Sequence, residues 1–214
     1  MREHIDISAV VPVVELVDQS GELVREYISV LEQTGLRFEL IYVLDGEHAE
    51  LLRRLGDLSE TEPRLRIVQL AKSFGEASAL NAGFASASGE TIVTLPAYSQ
   101  VAVDEIPKLL DELSRCDLAV ATRRPINESA SAFRRLRRRL FHWLVRVATG
   151  QTFSDMGCGV RAMKRDVVAE LPIYGDQYRF FPLLATRRGF RVNEVALKET
   201  CRDQFLRRHS VRDY

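Results

Sequence analysis

Short, nearly unbroken apolar runs recur along the chain, separated by stretches of helical periodicity. Residues 7–14, 38–44, 65–70, 91–95 and 117–122 read as strands, rich in β-branched and other apolar side chains. Between them, the spacing of apolar positions predicts helices over 22–33, about 47–58, 77–87 and 104–114. Gly35 and Gly89 stand where helix stops belong. Strand then helix, repeated along the first half, predicts a mostly parallel sheet covered on both faces. Ligands of such sheets bind beyond the carboxyl ends of the strands. That singles out residues 14–19, 45–48, 71–75, 96–101 and 123–127.

The second half is less regular. Residues 133–148 form a strongly amphipathic pattern, with Phe133, Leu136, Leu140, Trp143, Leu144 and Val147 on one stripe. Arg134, Arg135, Arg137, Arg138, Arg139 and Arg146 occupy the rest of the circumference. A Gly-rich loop and strand over 155–163, a short helix over 165–171, a helix over 177–188 and a strand over 191–198 follow. The tail from 202 to 214 is basic and without periodicity.

With 214 residues and hydrophobic content of 46%, the chain suits one globular domain. No apolar run approaches the ~18 residues of a membrane span, and the first residues lack signal character. The expectation is a cytoplasmic protein, peripheral on the cytosolic face of a membrane. Cys116, Cys158 and Cys201 form no CxxC pair and read as reduced, partly buried thiols. Net charge is zero, yet residues 1–62 carry 14 acids and 5 bases, while residues 123–146 carry eight arginines and one acid. Such asymmetry points to an anionic partner on one face, an anionic membrane surface for the 133–148 helix. No recognition motif supports nucleic acid. A homo-oligomer is left open.

Several segments carry a resemblance when taken together. They are Val10-Val11-Pro12-Val13, the strand ending in Asp45-Gly46, and Leu70-Ala71-Lys72-Ser73-Phe74-Gly75 followed by Ala79-Leu80-Asn81-Ala82-Gly83. To these add Ser88-Gly89-Glu90, Pro96-Ala97-Tyr98-Ser99-Gln100 and Asp155-Met156-Gly157-Cys158-Gly159-Val160-Arg161. Their order and spacing resemble the polyprenyl-phosphate sugar synthases, family-2 glycosyltransferases of the dolichyl-phosphate mannose synthase type. The resemblance spans roughly residues 7–214.

It implies an α/β GT-A fold in a single domain over 1–214, with a Rossmann-like nucleotide half over about 1–122, an acceptor half over 123–200 and a tail over 201–214. It implies inverting hexosyl transfer from a nucleotide-sugar donor to a lipid (polyprenyl) phosphate acceptor. Donor-binding positions would be Pro12, Val14, Glu15, Val43, Asp45, Gly46, Lys72, Pro96, Ala97, Tyr98 and Gln100. Asp45 would hold the base or ribose, against the plain reading of a turn-forming Asp-Gly. Asp155 and Arg161 would be the catalytic pair, although Asp155 also reads as a loop cap or as a partner of Arg161. Arg123, Arg124, Arg207, Arg208 and Arg212 would meet phosphate, and Lys72 and Arg161 the leaving diphosphate. A phosphate acceptor needs no general base, because its second pKa is about 6. Residues 178–182 resemble the acceptor-side helix and read equally as an aromatic core patch.

Three departures bear on the chemistry. The positions of the family's Asp-x-Asp hold Pro96 and Tyr98, which offer Mg²⁺ or Mn²⁺ no carboxylate. No cofactor is therefore expected at the usual site, Gln100 being the remaining candidate ligand. The Tyr and Glu positions after the first strand hold Val14 and Leu16, leaving Glu15 to serve with a one-residue shift. The paired aspartates after the second strand are reduced to Asp45, preceded by Leu44. A catalytically inactive relative that binds nucleotide or a partner protein is the alternative. The lack of a Gly-rich activating loop with a following Arg and Lys sets a nucleotidyltransferase aside.

Overall fold

A computed structural model describes residues 4–15, 20–124 and 153–200. In chain order its elements are β1 (Ile7–Val13), α1 (Ser20–Glu32), β2 (Phe38–Leu44), α2 (Ala49–Thr61), β3 (Leu65–Gln69), α3 (Glu76–Ser86) and β4 (Thr91–Thr94). A 3₁₀ turn (Val103–Glu105), α4 (Pro107–Glu112), β5 (Leu118–Arg124), β6 (Arg161–Lys164) and α5 (Arg165–Glu170) follow. A second 3₁₀ turn (Gly175–Phe180), α6 (Phe181–Arg187) and β7 (Val192–Lys198) complete it. The basic helix over 133–148 and the tail over 201–214 lie outside the described residues.

The strands form one seven-stranded sheet in the order β3-β2-β1-β4-β6-β5-β7. Every pairing is parallel except those of β6, which runs antiparallel to both β4 and β5. Successive side chains of a strand point to opposite faces, so each strand feeds two cores. Ala9, Val11, Leu40, Tyr42 and Val93 enter the core that holds Leu23, Leu31, Leu51 and Leu55 of α1 and α2. Val10, Ile41, Val43, Ile92 and Met163 enter the opposite one, with Leu80 of α3 and Phe181 of α6. All seven residues of β1 and of β2 are buried, as expected of parallel strands covered on both sides. Among the described residues no helix is long and apolar enough to cross a membrane.

Two predicted helices are corrected. The single helix read over 104–114 is a 3₁₀ turn followed by α4, with Pro107 in the first turn of α4. The pyrrolidine ring offers no N–H to continue a helix from the preceding turn and is tolerated at a start. The helix read over 177–188 is likewise a 3₁₀ turn and α6, with Pro182 at the junction.

Candidate active site

Asp45 follows β2 and lies at the carboxyl edge of the sheet, buried. Its carboxylate accepts from the Phe74 N–H at 2.7 Å, the Gly75 N–H at 2.8 Å and the Ser73 hydroxyl at 2.8 Å. The two amides lie just before α3, where backbone N–H groups lack intrahelical partners. Asp45 thus ties the end of β2 to the 73–75 loop that leads into α3. Gly46 has a φ of +98°, and a Cβ there would stand 3.1 Å from the Ser73 nitrogen, so the two loops touch only because this residue is glycine. Lys72 is exposed, its Nζ 5.3 Å from the centre of the exposed Phe74 ring. The role expected of Asp45, holding base or ribose, meets a carboxylate already engaged with the chain.

The 95–101 turn after β4 is tied down from several directions. Tyr27 of α1 donates its hydroxyl to the Pro96 carbonyl at 2.9 Å. Gln100 Nε2 donates to Tyr98 Oη at 2.7 Å, and Gln100 Oε1 accepts from the Gly159 N–H at 2.8 Å. Thr94 Oγ1 donates to the Gly159 carbonyl at 2.7 Å. The Thr200 hydroxyl donates to the Ser99 carbonyl at 2.6 Å. Pro96 and Ala97 are buried and Tyr98 half-buried. This arrangement does not fit a divalent cation. Hard cations take several oxygen ligands, whereas both ends of the Gln100 amide are used and no carboxylate stands at 96–98. Among the described residues no group of three or more His, Cys, Asp or Glu side chains could hold a metal ion.

Across the edge, Arg123 at the end of β5 grips Asp155. Arg123 Nε lies 2.6 Å from Oδ2 and Nη2 2.8 Å from Oδ1, a two-point ion pair. Burial raises the Asp155 pKa, but the Arg123 hydrogen bonds and charge outweigh it and hold the carboxyl below its ordinary value. The partner of Asp155 is therefore Arg123, not Arg161. Arg124 is exposed.

Arg161 is placed differently from expectation. It starts β6 at the carboxyl edge, opposite Thr94, but is only 4% exposed. Strand alternation turns it, like Met163, toward α3 and α6. Its Nη1 donates to the Tyr178 carbonyl at 2.8 Å, its guanidinium stands 5.9 Å from the Phe181 ring, and its Nε has no partner. Glu76, at the start of α3, lies in the same cluster, and burial raises its pKa against the Tyr178 hydrogen bond and the Arg161 charge. As placed, Arg161 anchors the 174–181 segment and does not face an open diphosphate site.

Of the other predicted donor residues, Val43 is fully buried in the core beside Val10 and Leu80, so its side chain is core. Pro12 is buried within β1, while Val14 and Glu15 are exposed just beyond it. Arg207, Arg208 and Arg212 lie outside the described residues. The structure thus unites Asp45, Gly46 and Lys72 in one cluster, and Pro96, Tyr98, Gln100, Arg123 and Asp155 in another joined through the 157–159 loop. Sequence reasoning missed Tyr27, Ser73, Thr94 and Thr200, which hold these loops. Their hydroxyls are ordinary in type, and nothing in their spacing marks them. An open depression of about 750 Å³ flanks the 96–100 turn, between α1 and residues 99–104.

The chain matches a model of glycosyl transferase family 2 over residues 9–171. It is 31% identical over 200 residues to the undecaprenyl-phosphate 4-deoxy-4-formamido-L-arabinose transferase of Edwardsiella ictaluri, covering 92% of this chain and 61% of that one. The enzyme of the same name from Pectobacterium atrosepticum is 32% identical over 193 residues, covering 89% and 58%. The chain thus spans about three fifths of these relatives' length. Its fold matches glucosyl-3-phosphoglycerate synthase of Mycobacterium tuberculosis, solved with Mn²⁺ and UDP-glucose, at a TM-score of 0.66 and 19% identity, covering 92% of this chain and 71% of that one. That likeness gives the mixed, mostly parallel sheet its name, the GT-A fold. By family model and by relatives, this chain belongs to glycosyl transferase family 2.

Proposed function

We propose that the chain transfers a sugar from a nucleoside-diphosphate donor to the phosphate of a polyprenyl lipid, at the carboxyl edge of its sheet. The observation that carries this reading is the joining of the 96–100 turn, the 155–160 loop and Arg123 at that edge, in a chain whose relatives are undecaprenyl-phosphate transferases. An acceptor phosphate oxygen attacks the anomeric carbon, and the bond from that carbon to the diphosphate breaks. The nucleoside diphosphate leaves with the electron pair, and the single displacement inverts the configuration. The acceptor is already ionised, since its second pKa is about 6, so no side chain need remove a proton. Catalysis then rests on positioning and on cations facing the charge that develops. Lys72 follows β3, and Arg123 and Arg124 end β5, with Arg207, Arg208 and Arg212 proposed alongside them. No step is routed through a metal.

Calorimetry with UDP, GDP, CDP and dTDP tests donor binding. One of them is expected to bind with an affinity that changes less than tenfold, about 1.4 kcal/mol, between Mn²⁺ and a chelator. A larger loss in chelator would overturn metal independence, and no heat with any nucleotide would overturn donor binding. The buried Pro96 and the absence of the carboxylate pair favour a second reading, a member that binds nucleotide without transferring sugar. Nucleotide binding with no glycosylated lipid formed from undecaprenyl phosphate would decide for it.

A peripheral membrane position is proposed from the arginines of the 133–148 segment. The chain is expected to co-sediment with phosphatidylglycerol vesicles and to be released by salt, each arginine contributing about 1 kcal/mol. Equal partitioning onto neutral vesicles would rule this out.

A further inference from the structure

Single exposed apolar side chains are ordinary, whereas a gathered set marks a contact surface. Among the described residues the large hydrophobic side chains in solvent are Val14, Leu36, Phe74, Tyr174 and Phe180. Leu36 precedes β2 at the amino edge of the sheet, and Val14 follows β1 at the carboxyl edge. Phe74 and Phe180, 54% and 38% exposed, also come to the carboxyl edge.

The packing beside α3 puts them there. Phe74 stands two residues before Glu76, the first residue of α3. Asn81 of α3 donates its side-chain amide to the Ile173 carbonyl at 2.6 Å, and Glu76 is hydrogen-bonded to the Tyr178 side chain. The 173–178 segment therefore runs back along α3 toward its start, and Phe180 arrives at the end where Phe74 stands. Cations accompany the rings. Lys72 Nζ lies 5.3 Å from the Phe74 ring centre, and the Arg179 guanidinium 5.5 Å from that of Tyr178. Both cations are exposed. Of the acids on these two segments, Glu76 is half-buried, and the exposed Asp176 stands toward the other end of its turn.

We propose that Phe74 and Phe180 form a two-point aromatic anchor that enters the interface of an anionic bilayer, with Lys72 and Arg179 at the level of the lipid phosphates. Rings of this kind settle at the headgroup boundary, and long cationic side chains reach past them to the phosphates. A cation held over a ring gains from the partial loss of water that such entry brings. The anchor is separate from the arginines of 133–148, although that segment leaves from the same edge, where Arg124 ends β5. It rests on the transfer reading only for its choice of a lipid. It adds an orientation, the carboxyl edge of the sheet turned toward the membrane, so that a lipid phosphate meets the site without leaving the bilayer.

Fluorescence on the full 214-residue chain tests it, since Trp143→Phe clears the chain's one tryptophan. In that background Phe74→Trp and Phe180→Trp report from the patch, and Leu36→Trp reports from the opposite edge. Phosphatidylglycerol vesicles with brominated acyl chains are expected to quench the first two at least twofold and to leave the third unquenched. In the otherwise parent chain, Phe74→Ser with Phe180→Ser is expected to lower partitioning onto phosphatidylglycerol vesicles roughly tenfold, the scale of re-exposing two half-exposed rings, with the thermal midpoint unmoved. A parent chain that does not partition overturns the proposal, as do unquenched reporters at 74 and 180 on vesicles that carry the protein. A serine variant that partitions like the parent overturns it too, and leaves the arginines of 133–148 as the contact. Quenching that requires undecaprenyl phosphate in the vesicles gives the patch to the acceptor's chain, and a lipid-free blue shift that grows with protein concentration gives it to a second copy. Either result removes the anchor. Quenched reporters in a chain that forms no glycosylated lipid keep the anchor and sink the transfer reading, so the two fail separately.

Discussion

Gly83→Ala is expected to destabilise the protein by a net ~2 kcal/mol, overpacking at about 3 kcal/mol outweighing the ~1 kcal/mol that alanine gains in a helix. Gly83 lies in α3, where that helix crosses β1 and β2. A Cβ there would fall 2.3 Å from Val10 Cγ1 and 3.1 Å from Val43 Cγ2. Both valines are wholly buried in central strands, and a β-branched side chain has little rotamer freedom with which to yield. The helix must lift from the sheet, and every apolar contact along it is loosened. Gly56→Ala supplies the opposite sign. Gly56 is also within a helix, α2, but nothing lies within 4 Å of its Cβ position. That variant is expected to gain up to ~1 kcal/mol. In thermal melts, at about 2–4 °C per kcal/mol for a chain of this size, the midpoints should move in opposite directions. A Gly83→Ala midpoint at or above the parent's would contradict the close packing of α3.

Glu39→Ala is expected to cost about 3 kcal/mol at neutral pH, the scale of breaking a buried, hydrogen-bonded charge pair. Glu39 sits in β2, with its side chain 6% exposed. Its carboxylate accepts from the Ser8 hydroxyl at 2.6 Å and the Ser88 N–H at 2.6 Å, and pairs with Arg66. Ser8 in turn accepts from the Gly89 N–H at 2.8 Å. One carboxylate thereby joins β1, β2, β3 and the α3–β4 loop at the amino edge of the sheet. Burial pushes its pKa up, but the bonds from Ser8, Ser88 and Arg66 outweigh burial and hold it below the ordinary value. A carboxyl with a depressed folded pKa stabilises above its unfolded pKa, about 4.3, and loses that contribution as pH falls through the folded value. Urea unfolding of parent and variant should therefore differ most at neutral pH and converge in acid below about pH 4. A gap that persists unchanged at pH 3 would show that lost packing, not charge, is the cause.

Much of the architecture is legible in the pattern of apolar residues. β1 and β2 are apolar runs interrupted only by Ser8 and Glu39, β5 is apolar up to Thr122, and a run buried on both faces belongs in a covered parallel sheet. The reversal of β6 is not legible, because four residues carry no sign of strand direction. The breaks before α4 and α6 turn on single prolines inside otherwise helical periodicity. The site is partly legible. The resemblance located the loops, and the structure brings several of them together. The contacts within them join residues far apart in sequence: Asp45 with Phe74 and Gly75, Arg123 with Asp155. An arginine invites the reading of a solvated or ligand-facing group. The burial of Arg161 follows from its place on a strand flanked by β4 and β5, a neighbourhood known only once the sheet order is known.

The reversed strand also governs how the molecule can move. β6 hydrogen-bonds to β4, from the first half of the chain, and to β5, so the described sheet runs without interruption from β3 to β7. Hinged closure of one half over the other would shear these ladders apart, and a continuous sheet contains no joint about which it could turn. Among the described residues, adjustment to a substrate is left to the rim segments at 72–75, 96–100 and 155–160. Amide hydrogen exchange should register this as slow, uniform protection across β1, β4, β6 and β5, with ligand-dependent changes confined to the rim.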